Sequence, residues 1–416
     1  MKRGRRIAIN AVRVSNHAGS GFDTYIVNII NALAGCSSDF DVYTRYPEHF
    51  ESVPEDRRRK IDLSFQPKRT PREGPAKKVA FPAEDRGSHL RPKPLAAAIS
   101  RRLPSFISLD SAIMLWTQCL FPIYVLTGGY ELVVSMTQLE TLIFCPTRQV
   151  CLVYDLIPRL FPEDKHRHQW FLSAMMPAGL RKASRVGALS TNTKADLVRY
   201  CGLREDSVDV IPAGVRVQRD TVNAEDKDRF RAKYHLASYI LCVGGNALHK
   251  NLDTLIEAYG LVRKRTQAAD LVIVGAFARP RLAAVAKLVH QHGFGAHVRF
   301  LGHISDSEMR IAYSSAELLV FPSKYEGFGM PPLEAMSWGC PVVASRAASI
   351  PEVVGAAGVY VDPENAGSIA DGVLKVLSDA GKRDELIAEG FRRVAMFSWE
   401  RSANLLQRSM DLALSR

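Results

Sequence analysis

The chain has 416 residues, of which 47% are hydrophobic and 24% charged, a composition that excludes wholesale disorder and suits two domains of roughly 200 residues each. Lys and Arg exceed Asp and Glu by 55 − 43 = 12, which favours partners with negative charge, such as nucleic acid, anionic lipid or a polyphosphate ligand. The seven cysteines are scattered and form no Cys-x-x-Cys pair, so a disulfide framework or a zinc site is not predicted.

The amino-terminal segment predicts a strand followed by a glycine loop. Basic residues 1–6 precede an apolar run of strand length, so no signal peptide is predicted and the expected location is the cytoplasm. Gly19 and Gly21 stand between this strand and a helical pattern, as in a loop that faces a diphosphate. Thr24 occupies the third glycine position of a dinucleotide fingerprint, which disfavours a nicotinamide dehydrogenase.

Two further segments of the first half differ in composition from the rest. Residues 56–94 hold twelve Lys and Arg against five Asp and Glu among many prolines, which predicts a basic loop over about residues 51–97. This loop is either a solvated insertion or a surface for an anionic membrane or an acceptor; it lacks the interleaved aromatics of a single-strand nucleic-acid groove. The apolar window 106–126 contains several polar residues, so a core helix is expected and not a bilayer span.

Strand-length apolar runs alternate with helical patterns along the chain, which predicts an α/β fold with parallel sheets covered by helices. A polar stretch at residues 214–228 divides the chain into a domain over residues 1–215 and a second domain over residues 216–394. Residues 395–416 are predicted to form a closing amphipathic helix. The predicted strands are 6–9, 133–136, 150–154, 186–190, 240–243, 271–274, 298–300, 318–321 and 342–344.

The strongest chemical signal is the segment 321–336, in which Glu326 and Glu334 flank a turn rich in Gly and Pro. The glycines let a ligand approach the backbone, and a helix that begins near Pro331 offers free amides to an anion. Glu326 stands before the turn, where it can accept hydrogen bonds from sugar hydroxyls, and Glu334 lies one turn into the helix, where it suits a ribose diol. The alternative is a solvated loop followed by a charged helical face.

This segment resembles the E-x7-E motif of glycosyltransferase family 4, whose members have the GT-B fold, two Rossmann-like domains that face a cleft. Residues 338–345 and 350–353 are similar to the strand and turn that follow the motif in the family. The resemblance implies a retaining enzyme in which Glu326 contacts the donor sugar and Glu334 contacts the ribose. It also implies that the turn meets the sugar and the diphosphate through Gly327, Phe328, Gly329 and Met330.

Residues 239–252 are similar to the family strand, loop and helix in which a lysine binds the donor diphosphate. By this resemblance Lys250 takes that role. The family often has an arginine shortly after the Val-Gly pair, where this sequence has Gly245 and Asn246. A second cationic phosphate contact is therefore left open, and Asn246 is assigned to the donor site.

Two pairs of residues are assigned to the donor site with an alternative left open. Residues 298–305 resemble the family strand and turn whose backbone borders the base, so His303 and Ile304 are either base neighbours or an ordinary strand end. By resemblance to the family's glycine loop, Gly19 and Gly21 face the donor phosphate or the acceptor; the alternative is a plain tight turn.

Residues 153–163 resemble the H-D-L-I-P segment of polysaccharide-assembly members of the family. Tyr154 stands where many members carry a histidine of the donor-sugar pocket, and it is either a hydrogen-bond donor there or a buried strand-end residue. Asp155 is the polar group best placed to orient an acceptor hydroxyl. Residues 190–197 resemble a family helix start near the cleft, which Ser190 or Thr191 caps.

No metal and no other cofactor is expected. Asp39 and Asp41 have the D-x-D form that metal-dependent glycosyltransferases use, but they precede a peripheral strand. In GT-B enzymes, helix-start amides and basic side chains take the place of the metal.

The resemblance implies a hexosyltransferase of cell-surface glycan synthesis, with mannose from GDP-mannose as the first expectation and rhamnose as another. The implied partners are a nucleotide-sugar and a lipid-linked or saccharide acceptor, with peripheral contact at the inner face of an anionic membrane. A fold relative of the epimerase or phosphorylase type would lack the E-x7-E pattern, whereas a non-catalytic saccharide-binding protein remains an alternative. Nucleic-acid binding is disfavoured because the positive charge concentrates in a loop.

Overall fold

The protein is described by a computed structural model over residues 6–15, 21–36, 40–61, 109–164, 168–216, 222–266 and 269–415. Within these ranges two parallel sheets, each covered by helices, form two domains. The predicted fold, two Rossmann-like domains facing a cleft, is confirmed. Each predicted strand is present and differs only at its ends.

The first domain contains a seven-stranded sheet in the order β3-β2-β1-β4-β5-β6-β7. Its strands are β1 (Ile7–Ala11), β2 (Phe40–Thr44), β3 (Arg58–Lys60), β4 (Leu132–Ser135), β5 (Arg148–Val153), β6 (Arg185–Ala188) and β7 (Val208–Val210). Its helices are α1 (Gly21–Ala34), α2 (Leu109–Leu115), α3 (Phe121–Gly128), α4 (Ile157–Leu160), α5 (Met176–Lys182) and α6 (Thr191–Cys201).

The second domain contains a six-stranded sheet in the order β10-β9-β8-β11-β12-β13. Its strands are β8 (Tyr239–Val243), β9 (Asp270–Val274), β10 (Val298–Gly302), β11 (Leu318–Phe321), β12 (Val342–Ser345) and β13 (Gly358–Val361). Its helices are α7 (Ala224–Tyr234), α8 (Leu252–Arg265), α9 (Arg279–Gln291), α10 (Asp306–Ser315), α11 (Met330–Ser337), α12 (Ile350–Val354), α13 (Ala366–Ser378) and α14 (Ala380–Val394), and α15 (Trp399–Ser415) ends the chain.

Both sheets reverse their strand order at one point, which fixes where a ligand can enter. In the first sheet β1 lies between β2 and β4, and in the second β8 lies between β9 and β11. At such a point, the loops that leave the carboxyl ends of two neighbouring strands run to opposite faces of the sheet. This opens a crevice between the loops. The central strands are continuous apolar runs because helices cover both of their faces, and every residue of β1, β4, β11 and β12 is buried.

The last helix, α15, lies on the first domain. It packs against α1 and against β4 to β7. The rings of Trp399 and Tyr25 are 5.7 Å apart, and Ser402 Oγ donates a hydrogen bond of 2.6 Å to the carbonyl of Pro212. Gly214 has no room for a side chain, because a Cβ there would overlap the backbone of Trp399.

Part of the predicted basic loop is a strand in the described residues. Most of residues 51–97 lie outside the described residues, but Arg58–Lys60 form the edge strand β3, whose Arg58 aligns with Val42 of β2. An edge strand needs only backbone hydrogen bonds from one neighbour, and charged side chains are common there. The basic composition of this segment therefore gave no indication of a strand.

The apolar window expected to be a core helix is buried on one face only. It forms α2, a π-helical segment (Trp116–Leu120) and α3, and the buried face includes Trp116 and Phe121. The opposite face exposes Leu126 by 64%. Asp110–Gly128 is the one helix in the described residues that is long and apolar enough to cross a membrane, a property that core helices of soluble proteins share.

Candidate functional site

A cavity of about 680 Å³ lies between the two domains. It is lined by the loops that follow the carboxyl ends of the central strands. Most of the predicted site residues meet there: Tyr154, Asp155, Lys250, His303, Ile304, Glu326, Gly327, Phe328, Gly329, Met330 and Glu334.

Three predicted donor contacts are not among the residues that line the cavity. Gly19 lies outside the described residues, and Gly21 is the first residue of α1. Asn246 is exposed, and its side-chain oxygen accepts a hydrogen bond of 3.2 Å from the backbone N–H of Ala278, just before α9. The assignment of these residues to the donor stays a prediction.

The Gly/Pro turn delivers backbone amides to the cavity. Gly329, with φ of 111°, adopts a conformation that side chains disfavour, and it turns the chain into α11 one residue before the predicted start. No side chain caps this helix start, so its amides can bind an anion. Ser349 Oγ donates to the carbonyls of Glu326 and Phe328, both at 2.8 Å, and these hydrogen bonds hold the backbone of the turn in place.

The turn is also held by the first domain through Gly327. Its carbonyl accepts hydrogen bonds from Ser190 Oγ at 2.8 Å and Thr193 Oγ1 at 3.1 Å, at the start of α6. A Cβ on Gly327 would overlap the carbonyl oxygen of Tyr154. Ser190 caps α6 as predicted, by accepting from the backbone N–H of Thr193, and its contact with the second domain was not predicted.

Lys250 and Glu326, predicted to bind the phosphate and the sugar, form an ion pair with 2.7 Å between Nζ and Oε1. Lys250 ends a short 3₁₀ turn, and Asn251 follows in the left-handed conformation that Asn tolerates better than most residues. The Asn251 amide donates to the carbonyls of Pro322 and Pro363, which ties the lysine loop to the turn. Each charge therefore has the other as its partner.

Tyr154 and Asp155 bring the first domain to the same cavity. Burial raises the pKa of Asp155 to about 6, although its Oδ1 accepts a 2.9 Å hydrogen bond from the backbone N–H of Ile157. The Tyr154 ring lies 4.7 Å from Phe22 and 5.1 Å from Tyr25. Its hydroxyl is buried and has no hydrogen-bond partner in the described part of the chain.

The far end of the cavity contains the predicted nucleoside contacts. Glu334 Oε2 accepts a hydrogen bond of 2.9 Å from the Tyr313 hydroxyl, which fixes the carboxylate beside the cavity. Burial raises the pKa of Glu334, and the bond from Tyr313 opposes that shift. His303 is exposed, whereas Ile304 is buried and presents an apolar surface.

Sequence analysis missed a buried hydrogen bond between His249 and Asp164 that joins the domains beside Lys250. His249 Nδ1 and Asp164 Oδ2 are 2.8 Å apart, and Asp164 Oδ1 accepts a 2.6 Å hydrogen bond from the backbone N–H of Leu248. Burial acts to raise the pKa of Asp164, but these hydrogen bonds outweigh it and the pKa is lowered. The signal in the sequence was a histidine next to Lys250; nothing local linked it to an aspartate 85 residues away.

A second missed contact joins the domains on the other side of the turn. The Glu352 carboxylate accepts hydrogen bonds of 2.7 Å from the backbone N–H groups of Thr191 and Asn192, at the start of α6. An anion at a helix start is favoured by the free amides and by the helix dipole. Arg393 Nε donates to the carbonyl of Val353 and so holds the backbone that presents this carboxylate.

The D-x-D segment lies away from the cavity. Asp39 is outside the described residues, and Asp41 is the second residue of β2, near the amino end of that strand, whereas the cavity lies at the carboxyl ends of the strands. Asp41 is buried and forms ion pairs with Arg6 at 3.3 Å and Arg59 at 3.2 Å. Across the described ranges no group of three or more His, Cys, Asp and Glu side chains is arranged to hold a metal ion.

Comparisons with known proteins show similarity to glycosyltransferases in sequence and fold. The family model "Glycosyl transferases group 1" matches residues 224–393. The chain is 30% identical over 247 residues to O-antigen chain mannosyltransferase B of Escherichia coli, an overlap of 58% of this chain and 64% of that relative. It is 31% identical over 195 residues to the GDP-mannose-dependent alpha-(1-6)-phosphatidylinositol monomannoside mannosyltransferase of Mycobacterium tuberculosis, 44% of this chain and 49% of that relative.

Structural similarity extends over both domains. Sucrose-phosphate synthase from Thermosynechococcus elongatus superposes with a TM-score of 0.69 at 21% identity, covering 98% of each chain. At that identity the similarity concerns the fold. The matches to the two curated relatives named above cover less than two thirds of their lengths.

Proposed function

Because residues 224–393 match the family model of the group 1 glycosyltransferases and the chain has the GT-B fold, we propose that it is a retaining hexosyltransferase that uses GDP-mannose. The observation that carries this proposal is the meeting of Lys250, Glu326 and the free amides of α11 in one interdomain cavity. Cations and amides suit a diphosphate, and a carboxylate suits sugar hydroxyls. The named mannosyltransferase relatives support mannose as the sugar and GDP as its carrier.

In the proposed reaction the donor diphosphate lies between Lys250 and the start of α11. As the bond from the anomeric carbon to the phosphate oxygen breaks, Lys250 and the amides near Met330 stabilise the charge that grows on the leaving diphosphate. Glu326 is released from Lys250 and accepts hydrogen bonds from the sugar. Glu334, fixed by Tyr313, holds the ribose.

The acceptor is proposed to approach from the first domain, near Asp155. Its hydroxyl oxygen forms a bond to the anomeric carbon on the face that the diphosphate leaves, and a departing phosphate oxygen takes the hydroxyl proton. The products are the glycosylated acceptor, with retained configuration, and the nucleoside diphosphate. No step needs a metal, because Lys250 and the helix-start amides supply the positive charge.

The acceptor is proposed to be a saccharide of a cell-surface glycan, free or linked to a lipid. The relatives named above act on an O-antigen chain and on a phosphatidylinositol mannoside. A lipid-linked acceptor would place the enzyme peripherally at the inner face of the membrane, which agrees with its net charge of +12.

The test is nucleotide release from GDP-, UDP- and dTDP-sugars with membrane lipid extract and EDTA, comparing the native protein with Glu326→Gln. We expect release from GDP-mannose that survives EDTA and falls at least about 100-fold in the variant. GDP binding should persist or tighten, because Lys250 loses its competing carboxylate. Glu364→Gln, which alters a second Lys–Glu pair on the surface of the same domain, is the matched control and should leave release unchanged.

Each part of the proposal has its own contrary outcome. Release that Glu326→Gln leaves unchanged would remove Glu326 from the site. Loss of release in EDTA, restored by Mg²⁺ or Mn²⁺, would contradict the metal-free scheme. Binding of a sugar nucleotide without release in the presence of acceptors would favour a non-catalytic saccharide-binding protein.

A further inference from the structure

The cavity is short of cations for a ligand that carries a diphosphate. Among the described residues that line it, Lys250 is the one lysine or arginine, and it is already paired with Glu326. The position after the Val-Gly pair offers Gly245 and Asn246, and Asn246 lies outside the cavity. A diphosphate that binds there needs a further donor to its oxygens.

His249 is the side chain placed to be that donor. It precedes Lys250 in the same 3₁₀ turn, lines the cavity and is only 5% exposed. Its Nδ1 faces the Asp164 carboxylate, which can only accept, so Nδ1 carries a proton. Nε2 has no hydrogen-bond partner among the residues that the structure describes.

The first domain fixes the orientation of the imidazole on two sides. Asp164 binds Nδ1 and, through its other oxygen, the backbone N–H of Leu248. The ring of Phe161 lies 5.8 Å from the imidazole ring, at an angle of 51°. Both residues follow α4, so the contacts that hold the imidazole exist only while the two domains are together.

We propose that His249 is the second side chain that binds the donor diphosphate, as an imidazolium whose Nδ1–H donates to Asp164 and whose Nε2–H donates to a phosphate oxygen. The inference rests on the proposed function, because it assumes a nucleoside diphosphate in the cavity. Two anions on opposite sides favour the charged ring. Asp164 is then a positioning residue, through which contact with the first domain completes the diphosphate site of the second.

Two neutral variants separate this role from a purely structural one. In His249→Asn the amide reaches the position of Nδ1 and keeps the contact with Asp164, whereas in His249→Gln the amide reaches the position of Nε2. Calorimetric titration with GDP and GMP, and with UDP, UMP, dTDP and dTMP, measures how each variant binds. His290→Gln, on the exposed face of α9, is the matched control and should bind like the native protein.

We expect His249→Asn to lose at least about 10-fold in diphosphate affinity, the value of one charge-assisted hydrogen bond, and to keep its monophosphate affinity. His249→Gln should retain more diphosphate affinity than His249→Asn. Asp164→Asn, which keeps an oxygen acceptor but no charge, should lower diphosphate affinity by a smaller factor. It supplies the comparison if either histidine variant fails to fold, which thermal unfolding will reveal.

Other outcomes would overturn the inference. His249→Asn that binds the diphosphate as well as His249→Gln, or better, would show that the histidine only ties the domains together. Equal losses for monophosphate and diphosphate would show a general distortion of the site. If the native protein binds none of the three diphosphates, the proposed function fails as well. If the native protein binds a diphosphate but His249→Asn binds it more tightly than His249→Gln, only the inference about His249 fails.

Discussion

The Asp155 carboxylate has a cost in stability that is set against its proposed role with the acceptor. Asp155 is half-buried two residues after the end of β5, and burial raises the pKa of its carboxyl to about 6. Burial acts by disfavouring the ionised form, so the energetic cost of the charge is present above pH 6. The cost is relieved as the pH falls through about 6 towards the ordinary value of 3.8, where both folded and unfolded states become protonated.

We therefore expect Asp155→Asn to be more stable than the native protein at pH 8, by up to ~3 kcal/mol, with the gap in unfolding free energy closing near pH 4. Asn keeps the acceptor for the N–H of Ile157, so the local turn survives. Urea unfolding of both proteins from pH 4 to 8 measures the gap. Asp384→Asn, on the surface of α14, should show no such divergence from the native protein.

The same residue predicts the pH dependence of transfer. If the carboxylate orients the acceptor, kcat/KM of the native enzyme should fall as the pH drops through about 6, and Asp155→Asn should give a low, flat profile. Steady-state rates between pH 5 and 8 test this expectation. A variant with native rates at pH 7.5 would exclude a role for Asp155 with the acceptor.

At the level of elements, the Gly/Pro turn depends on a close approach between domains that one methyl group would prevent. Gly327→Ala places a Cβ where the carbonyl oxygen of Tyr154 lies, so the turn must move away from the hydroxyls of Ser190 and Thr193. A displacement of about 1 Å at a reacting centre costs on the order of 100-fold in rate. We expect nucleotide release to fall by that factor.

Gly295→Ala is the control for this variant, because a Cβ at Gly295 meets nothing within 4 Å. It should retain native release, and both variants should give native circular dichroism because neither glycine lies in a helix or strand. Native activity in Gly327→Ala would mean that the turn and β5 separate during the reaction.

The sequence was sufficient for the elements that physical patterning marks and insufficient for the others. Central strands such as β1 and β11 are buried on both faces and so are continuous apolar runs, which were predicted. The edge strands β3 and β13 were missed, because one is charged and the other half-exposed. The helix start after Gly329 was predicted within one residue, because Gly and Pro have fixed backbone preferences.

The site was predictable only where its residues lie close together in the sequence. Glu326 and Glu334 belong to one motif, and Lys250 to another. The contacts of Asp164 with His249 and of Ser190 with Gly327 join residues 85 and 137 positions apart, and no local pattern specifies them. They arise from how the two finished domains meet, which a single sequence does not encode in any one segment.

For the whole molecule, the contact between the domains combines polar bonds around the cavity with apolar contacts, such as that between the rings of Phe161 and Tyr325, which lie 5.8 Å apart. Asp164 holds the 248–249 turn on one side, and Glu352 holds the start of α6 on the other. Between them, Tyr325 donates a 2.6 Å hydrogen bond to Asp196. Polar contacts of this kind exchange with water at low cost, so we expect the domains to open for donor entry and product release in the proposed reaction.

Glu352→Ala tests that reasoning. The variant leaves the amides of Thr191 and Asn192 without their carboxylate, and a capping interaction of this type contributes about 1 kcal/mol. The equilibrium should therefore shift towards open domains by roughly 5-fold, which raises the donor KM by at most that factor while kcat changes less. Small-angle scattering should report a larger radius of gyration than for the native protein.

Glu400→Ala is the control, because Glu400 is exposed in the first turn of α15, and this variant should change neither the donor KM nor the radius of gyration. An unchanged KM and radius of gyration in Glu352→Ala would mean that the carboxylate does not stabilise the closed arrangement.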